Sequence, residues 1–236
     1  MSERTRRTFL KTSVAATAVA SVWDAGGVAC ADALTREQRD KLTPAQVIEL
    51  MKQGNQRFLR GERTTHDYLA QQKASARGQY PAAVVLSCID SRAPAETIMD
   101  LGIGDVFNAR VAGNVSNDDI LGSMEFACKV AGAKVVLVMG HTACGAVKGA
   151  IDGVVLGNLT GLLAKIKAAV VTTAYQGERS AKNYSFVDAV ARTNVELTMA
   201  DIRKRSPVLA DLQAQGAIGI AGAMYDLETG VVAFFA

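Results

Sequence analysis

Two short runs constrain this chain most: "AAVVLS" at 82–87 and "KVVLVM" at 134–139. Neither alternates apolar with polar residues, as a strand with one wet face would. Strands apolar on both faces need cover on both sides, which crossover helices of a parallel sheet provide. Helical patterns stand where those crossovers are needed. Thr43, Pro44 and Gln46 form a capping-box start, Val47, Leu50, Met51, Phe58 and Leu59 keep one face, and Gly61 ends the pattern. "DVFNARV" at 105–111 reads as a further strand, followed by a helix from Asp118 to Val130 with Asn117 as cap. Residues 159–174 and 184–205 have helical periodicity, and Ser206-Pro207 opens another helix that stops at Gly216. The C-terminal "AIGIAGAMYDLETGVVAFFA" reads as strand, turn at Glu228–Gly230, strand. The expected class is α/β, with a mainly parallel central sheet flanked by helices.

A length of 236 residues suits one domain with an extra segment. That segment is the N-terminus: Arg6-Arg7, then Phe9-Leu10-Lys11, a weakly apolar run from Thr12 to Trp23, and small residues. This is the pattern of a twin-arginine export signal occupying residues 1–31, with cleavage after Ala31 or Ala33 and a single domain over 32–236. The apolar run is shorter than the ~20 residues a spanning helix needs. Gly27-Val28-Ala29 before Cys30 makes a poor lipobox, which argues against lipid anchoring. The expected destination is the periplasm or another exported space, with no stable membrane insertion of the mature protein. The formal net charge is +3. Without residues 1–31 it falls to +1, from 22 Lys and Arg against 21 Asp and Glu. No basic face for nucleic acid is implied.

The first apolar run leads straight into "CIDSR", so Cys88, Asp90 and Arg92 follow a strand end. "GHTACGA" places His141 and Cys144 at the end of the third strand, more than fifty residues later. Sites in open parallel sheets form outside the carboxyl ends of strands, so these residues converge in one crevice. Two thiolates and an imidazole are ligand types that zinc favours, and three protein ligands leave a fourth position open for catalysis. Buried inert thiols, or a Cys88–Cys144 disulfide in an exported protein, are the competing readings. If the segment stays extended, Cys88, Asp90 and Arg92 face the same way. Arg92 then pairs with Asp90 through a bidentate fork, either gating the metal or merely stabilising the turn. His66, in "TTHDY", reads as a solvated loop residue, and Cys128 as core.

These motifs resemble those of the β-class carbonic anhydrases. "NQRF" at 55–58, "GQYP" at 78–81, "ARVAGN" at 109–114, "GSMEFA" at 122–127 and "AMYDLETGVV" at 223–232 agree with the family as well. The resemblance runs from about Pro44 to the C-terminus. It implies one zinc per subunit on Cys88, His141 and Cys144, an Asp90–Arg92 catalytic dyad, and reversible hydration of carbon dioxide to bicarbonate by hydroxide generated at the metal. It also implies a homodimer or dimer of dimers, with N-terminal helices packed on the partner. Gln79, Phe107 and Gly145 match substrate-pocket positions. Phe126 stands where the plant-like branch often has tyrosine. Val85 stands where the bicarbonate-regulated branch has tryptophan, which argues against that regulatory site. Hydrolysis of carbonyl sulfide or carbon disulfide on the same scaffold, or a non-catalytic zinc or thiol protein, are the alternatives.

Overall fold

The computed structural model describes residues 33–235. The twin-arginine pattern and Cys30 lie outside the described residues. Helices α1 (Arg36–Asp40), α2 (Pro44–Arg60) and α3 (Tyr68–Ser75) lead into strand β1 (Ala83–Ser87). Then follow α4 (Ala95–Ile98), β2 (Val106–Arg110), a short 3-10 turn (Ala112–Asn114), α5 (Asp118–Glu125) and β3 (Val135–His141). The chain closes with α6 (Gly145–Asp152), α7 (Gly157–Thr172), α8 (Tyr184–Arg205), α9 (Pro207–Ala214), β4 (Gly219–Tyr225) and β5 (Val232–Phe235). The strands form one sheet in the order β2-β1-β3-β4-β5. The first four are parallel and β5 returns antiparallel on β4.

The caps read from the sequence are made. Thr43 accepts from Gln46 N while the Gln46 side chain returns to the Thr43 amide, Asn117 accepts from Ile120 N, and Ser206 accepts from Leu209 N. Gly61 ends α2 in the left-handed conformation at φ 70°. One element departs from expectation. The helix beginning at Asp118 is regular only to Glu125, and Phe126–Val130 continue as a wider π turn closed by Ala131 N to Phe126 O.

Two layers cover the sheet as the doubly apolar strands demand. Val85, Leu137 and Met139 face Val47 and Met51 of α2 on one side. Val84, Leu86, Val136 and Val138 face Met124, Val195, Met199, Ile202 and Leu209 on the other. Each such fully buried side chain contributes about 1.5–3 kcal/mol relative to exposure. A third cluster, with Val147, Ile166, Phe186 and Val190, closes the carboxyl end of β1 and β3 and contains Cys88 and Cys144.

Candidate metal centre

From β1 the chain crosses to β2 on one side, then returns past β1 to β3 on the other. This reversal is a topological switch point, where a crevice opens at the carboxyl ends of the two central strands. Cys88 directly follows β1, His141 is the last residue of β3, and Cys144 caps the N-terminus of α6. Their ligand atoms lie within 4.8 Å of one another and all three residues are buried.

The chemistry of this donor set fits a divalent metal. His141 Nδ1 lies 2.8 Å from the Thr142 carbonyl. A carbonyl only accepts, so Nδ1 carries the proton and Nε2 presents a lone pair. That Nε2 is buried and makes no hydrogen bond. Cys88 is lowered to about 4, chiefly by the Cys144 thiol that donates to it, with Gly113 N–H contributing at 3.3 Å. Cys144 is pushed up by the Cys88 anion and by burial. The pair thus gives up one proton readily and holds the second, because two buried anions side by side repel. The amides of Ala146 and Val147 at the start of α6 favour the second thiolate. A borderline-soft cation such as zinc, held by Cys88, His141 and Cys144, would supply the positive charge the second ionisation needs. Cys88, Cys128 and Cys144 are all free thiols, so the disulfide reading does not hold for the described residues.

Asp90 stands at the mouth of the crevice, its Oδ2 3.8 Å from His141 Nε2. Arg92 Nε and Nη2 donate to its two oxygens at 2.9 and 2.8 Å. The Arg92 backbone N–H adds a third bond at 2.9 Å. The guanidinium holds the Asp90 carboxyl well below the usual carboxylate range. The segment is not extended, as the alternation argument required. Ala93 N donates to Asp90 O, closing a turn. The turn bends the fork back onto the carboxylate, so the pairing arises from curvature rather than from period-two alternation.

A carbonic anhydrase family model matches residues 83–232. The chain belongs to the carbonic anhydrase family. It is 34% identical to "Carbonic anhydrase 2" of Mycobacterium tuberculosis over 79% of this chain and 90% of that one. It is also 34% identical to a carbonic anhydrase of Mycolicibacterium smegmatis over 80% of this chain and 92% of that one. Among solved structures, a tetrameric β-carbonic anhydrase of Sordaria macrospora superposes with a TM-score of 0.62 at 26% identity, covering 68% of this chain and 83% of that one. The α/β sheet is that of the β class.

Other residues of this β-class chain fall into two groups. Of the expected pocket residues, Gly145 adjoins the triad, whereas Gln79 and Phe107 lie away from it within the chain. Gln79 is exposed in the loop before β1, at the opposite strand end from Cys88. Five strand residues separate those ends by about 17 Å. Phe107 pairs with Val84 on the edge strand and packs edge-on against Phe126 at 6.1 Å. Gly145 begins α6 beside Cys144, and a Cβ there would meet open space. Cys128 is core, its thiol pushed up to about 12 by burial. His66 is a correction: its side chain is only 6% exposed. The reason is the wholly buried Asp100 carboxylate, which accepts from Arg57 Nε at 2.7 Å and from Thr64 N and Oγ1 at 3.0 and 2.9 Å. His66 Nε2 lies 3.3 Å from the same carboxylate, and its Nδ1 3.2 Å from Gln71 Nε2.

The second group was not singled out from the sequence. Arg110 donates to the carbonyls of Cys88 and Asp90 at 2.9 and 2.5 Å, pinning the ligand strand end from β2. Gly113 takes φ 66°, aiming its amide at Cys88 Sγ, and its carbonyl accepts from Asn194 Nδ2 at 2.8 Å. Asp188 Oδ1 accepts from Ala143 N at 2.7 Å. "ARVAGN" carried a signal for Arg110 and Gly113, adjoining the ligand motifs across the sheet. Asp188 and Asn194 had none.

Proposed function

We propose that this chain catalyses reversible hydration of carbon dioxide to bicarbonate, with one zinc per subunit on Cys88, His141 and Cys144. The observation that carries the reading is the convergence of two sulfurs and an unpaired imidazole nitrogen at the switch point, beside a carboxylate already occupied by an arginine. Zinc so held supplies a Lewis acid that lowers the pKa of water from about 15.7 to about 7. Arg92 and its own backbone amide occupy both Asp90 oxygens, so the carboxylate is kept as a hydrogen-bond acceptor at the crevice rather than as a further ligand. Arg110 fixes the backbone between Cys88 and Asp90, so ligand and acceptor keep one relative position. Thr142 holds the proton on His141 Nδ1.

The pocket is completed by a second subunit whose Gln79 reaches this crevice, since the chain's own Gln79 leads into the far end of β1. A dimer or dimer of dimers supported by the N-terminal helices follows from that reading. Residues up to about Ala31 serve twin-arginine export, a route that carries folded protein and lets zinc enter before the thiols meet an oxidising space.

Metal content and carbon dioxide hydration, measured together, test this. The purified protein is expected to carry about one zinc per chain, and His141→Ala to lose metal and turnover. Zinc-loaded protein that leaves carbon dioxide unhydrated would refute the activity, and full zinc in His141→Ala would refute the ligand set.

A further inference from the structure

Between His141 and Cys144 the chain turns within two residues. Ala143, the middle of that turn, sits at φ 54°, a left-handed conformation that L residues other than glycine, asparagine and aspartate seldom adopt. Something outside the turn must hold it there. Two grips are visible. On the sheet side, Thr142 N donates to the Tyr225 carbonyl at 3.0 Å, and Thr142 Oγ1 accepts from Leu227 N at 2.9 Å. On the helix side, Asp188 of α8 accepts the Ala143 amide at 2.7 Å. Six residues along the same helix, Asn194 holds Gly113, whose amide points at Cys88 Sγ. Helix α8 therefore holds the His141–Cys144 turn directly, and it also holds the Gly113 turn whose amide contacts Cys88.

We propose that Asp188 is a positioning residue for the metal centre, holding Ala143 in its left-handed conformation so that His141 and Cys144 address the same point. This rests on the zinc reading above. Asp188 need not touch the metal or substrate. Its carboxylate is an acceptor aimed at one N–H, and that N–H belongs to the residue least able to keep its conformation unaided. An acceptor of equal reach should serve as well, and a residue with no left-handed penalty should need the acceptor far less.

The experiment is chelator competition on zinc-loaded native protein and on Asp188→Asn, Asp188→Ala, and Asp188→Ala combined with Ala143→Gly. The absorption of the cobalt(II)-substituted forms reports ligand geometry independently of activity. Asp188→Ala should release zinc about 10–100-fold more readily and lose its tetrahedral cobalt bands. Asp188→Asn should keep affinity within about threefold, because its amide oxygen still accepts. Adding Ala143→Gly should recover most of the loss, since glycine takes positive φ without penalty. Asp188→Ser, whose hydroxyl cannot span the gap, stands in for the alanine variant if that one does not fold. A merely structural role for Asp188 would lower thermal stability but leave the glycine change without effect on affinity. Native-like zinc affinity in Asp188→Ala or Asp188→Ser, or no recovery with Ala143→Gly, overturns the proposal while leaving the zinc reading intact. A native protein that binds no zinc overturns both.

Discussion

Gly113→Ala tests how tightly backbone geometry and metal ligation are joined. Gly113 sits at φ 66°, where alanine costs about 1–2 kcal/mol. A Cβ there would lie 2.5 Å from Ile166 Cδ1 and 3.3 Å from Ala146 Cβ. Ordinary carbon contacts begin near about 3.5 Å, so the Cδ1 methyl of the fully buried Ile166 must shift within the core. Overpacking of this kind adds about 1–3 kcal/mol. The expected loss is about 3 kcal/mol of apoprotein stability, a fall in melting temperature of about 6–12 °C for a domain of this size. The displaced amide also leaves Cys88 Sγ, so zinc affinity should fall several-fold. Urea unfolding of the apoprotein with chelator competition reads both effects. Ile166→Val, which removes the clashing Cδ1, should restore the packing part in the double variant but none of the backbone part. A Gly113→Ala protein within about 0.5 kcal/mol of native, or an Ile166→Val partner with no coupling to it, would refute the reasoning.

Arg92→Ala should keep its zinc yet lose most turnover, because Asp90 is then free to ligate the metal; near-native hydration rates from pH 7 to 9 would reduce the dyad to a structural ion pair. The buried Asp100 carboxyl is held below its usual range by Thr64 and Arg57 despite desolvation, so its stabilisation is present above the unfolded pKa and lost as pH falls through the folded one. Asp100→Asn should therefore cost about 2 kcal/mol at neutral pH, and the gap to native in urea midpoint should narrow below pH 4; a gap that stays constant down to pH 3 would show that the charge is not what matters. Replacing Arg6 and Arg7 by lysine should retain the precursor in the cytoplasm, and normal export of that form would remove the twin-arginine assignment.

The strands and the meeting of Cys88, His141 and Cys144 were legible because each depends on local signals. A run such as Val84–Val85–Leu86 specifies a doubly covered strand whatever surrounds it, and Cys88 and His141 inherit their place from the strand ends. What was not legible depends on partners remote in sequence. Asp188 is an ordinary helical acid until the fold brings Ala143 to it. His66 looked solvated because Asp100, which draws it in, is itself identifiable only once α2, the 62–67 loop and the residues after α4 meet. The turn at Asp90 contradicted an extended reading because an aspartate can hydrogen-bond the backbone two residues on, overriding strand periodicity. The wider turn at Phe126–Val130 shifts the phase of the apolar face by one residue, and over five residues that shift is too short to separate from an ordinary helix end.

With zinc on the triad as proposed, the protein's lifetime would become a function of metal supply. A cation on Cys88, His141 and Cys144 cross-links two segments more than fifty residues apart in the chain, closing a loop that the unfolded chain would leave open. Binding confined to the native state adds about 2.7 kcal/mol when free zinc stands at a hundred times its dissociation constant. Across a domain of this size that is about 5–11 °C of melting temperature. Molecules that never acquire metal would therefore melt and be digested first, so a scarce metal would thin the population by degradation before it accumulated as inactive apoprotein.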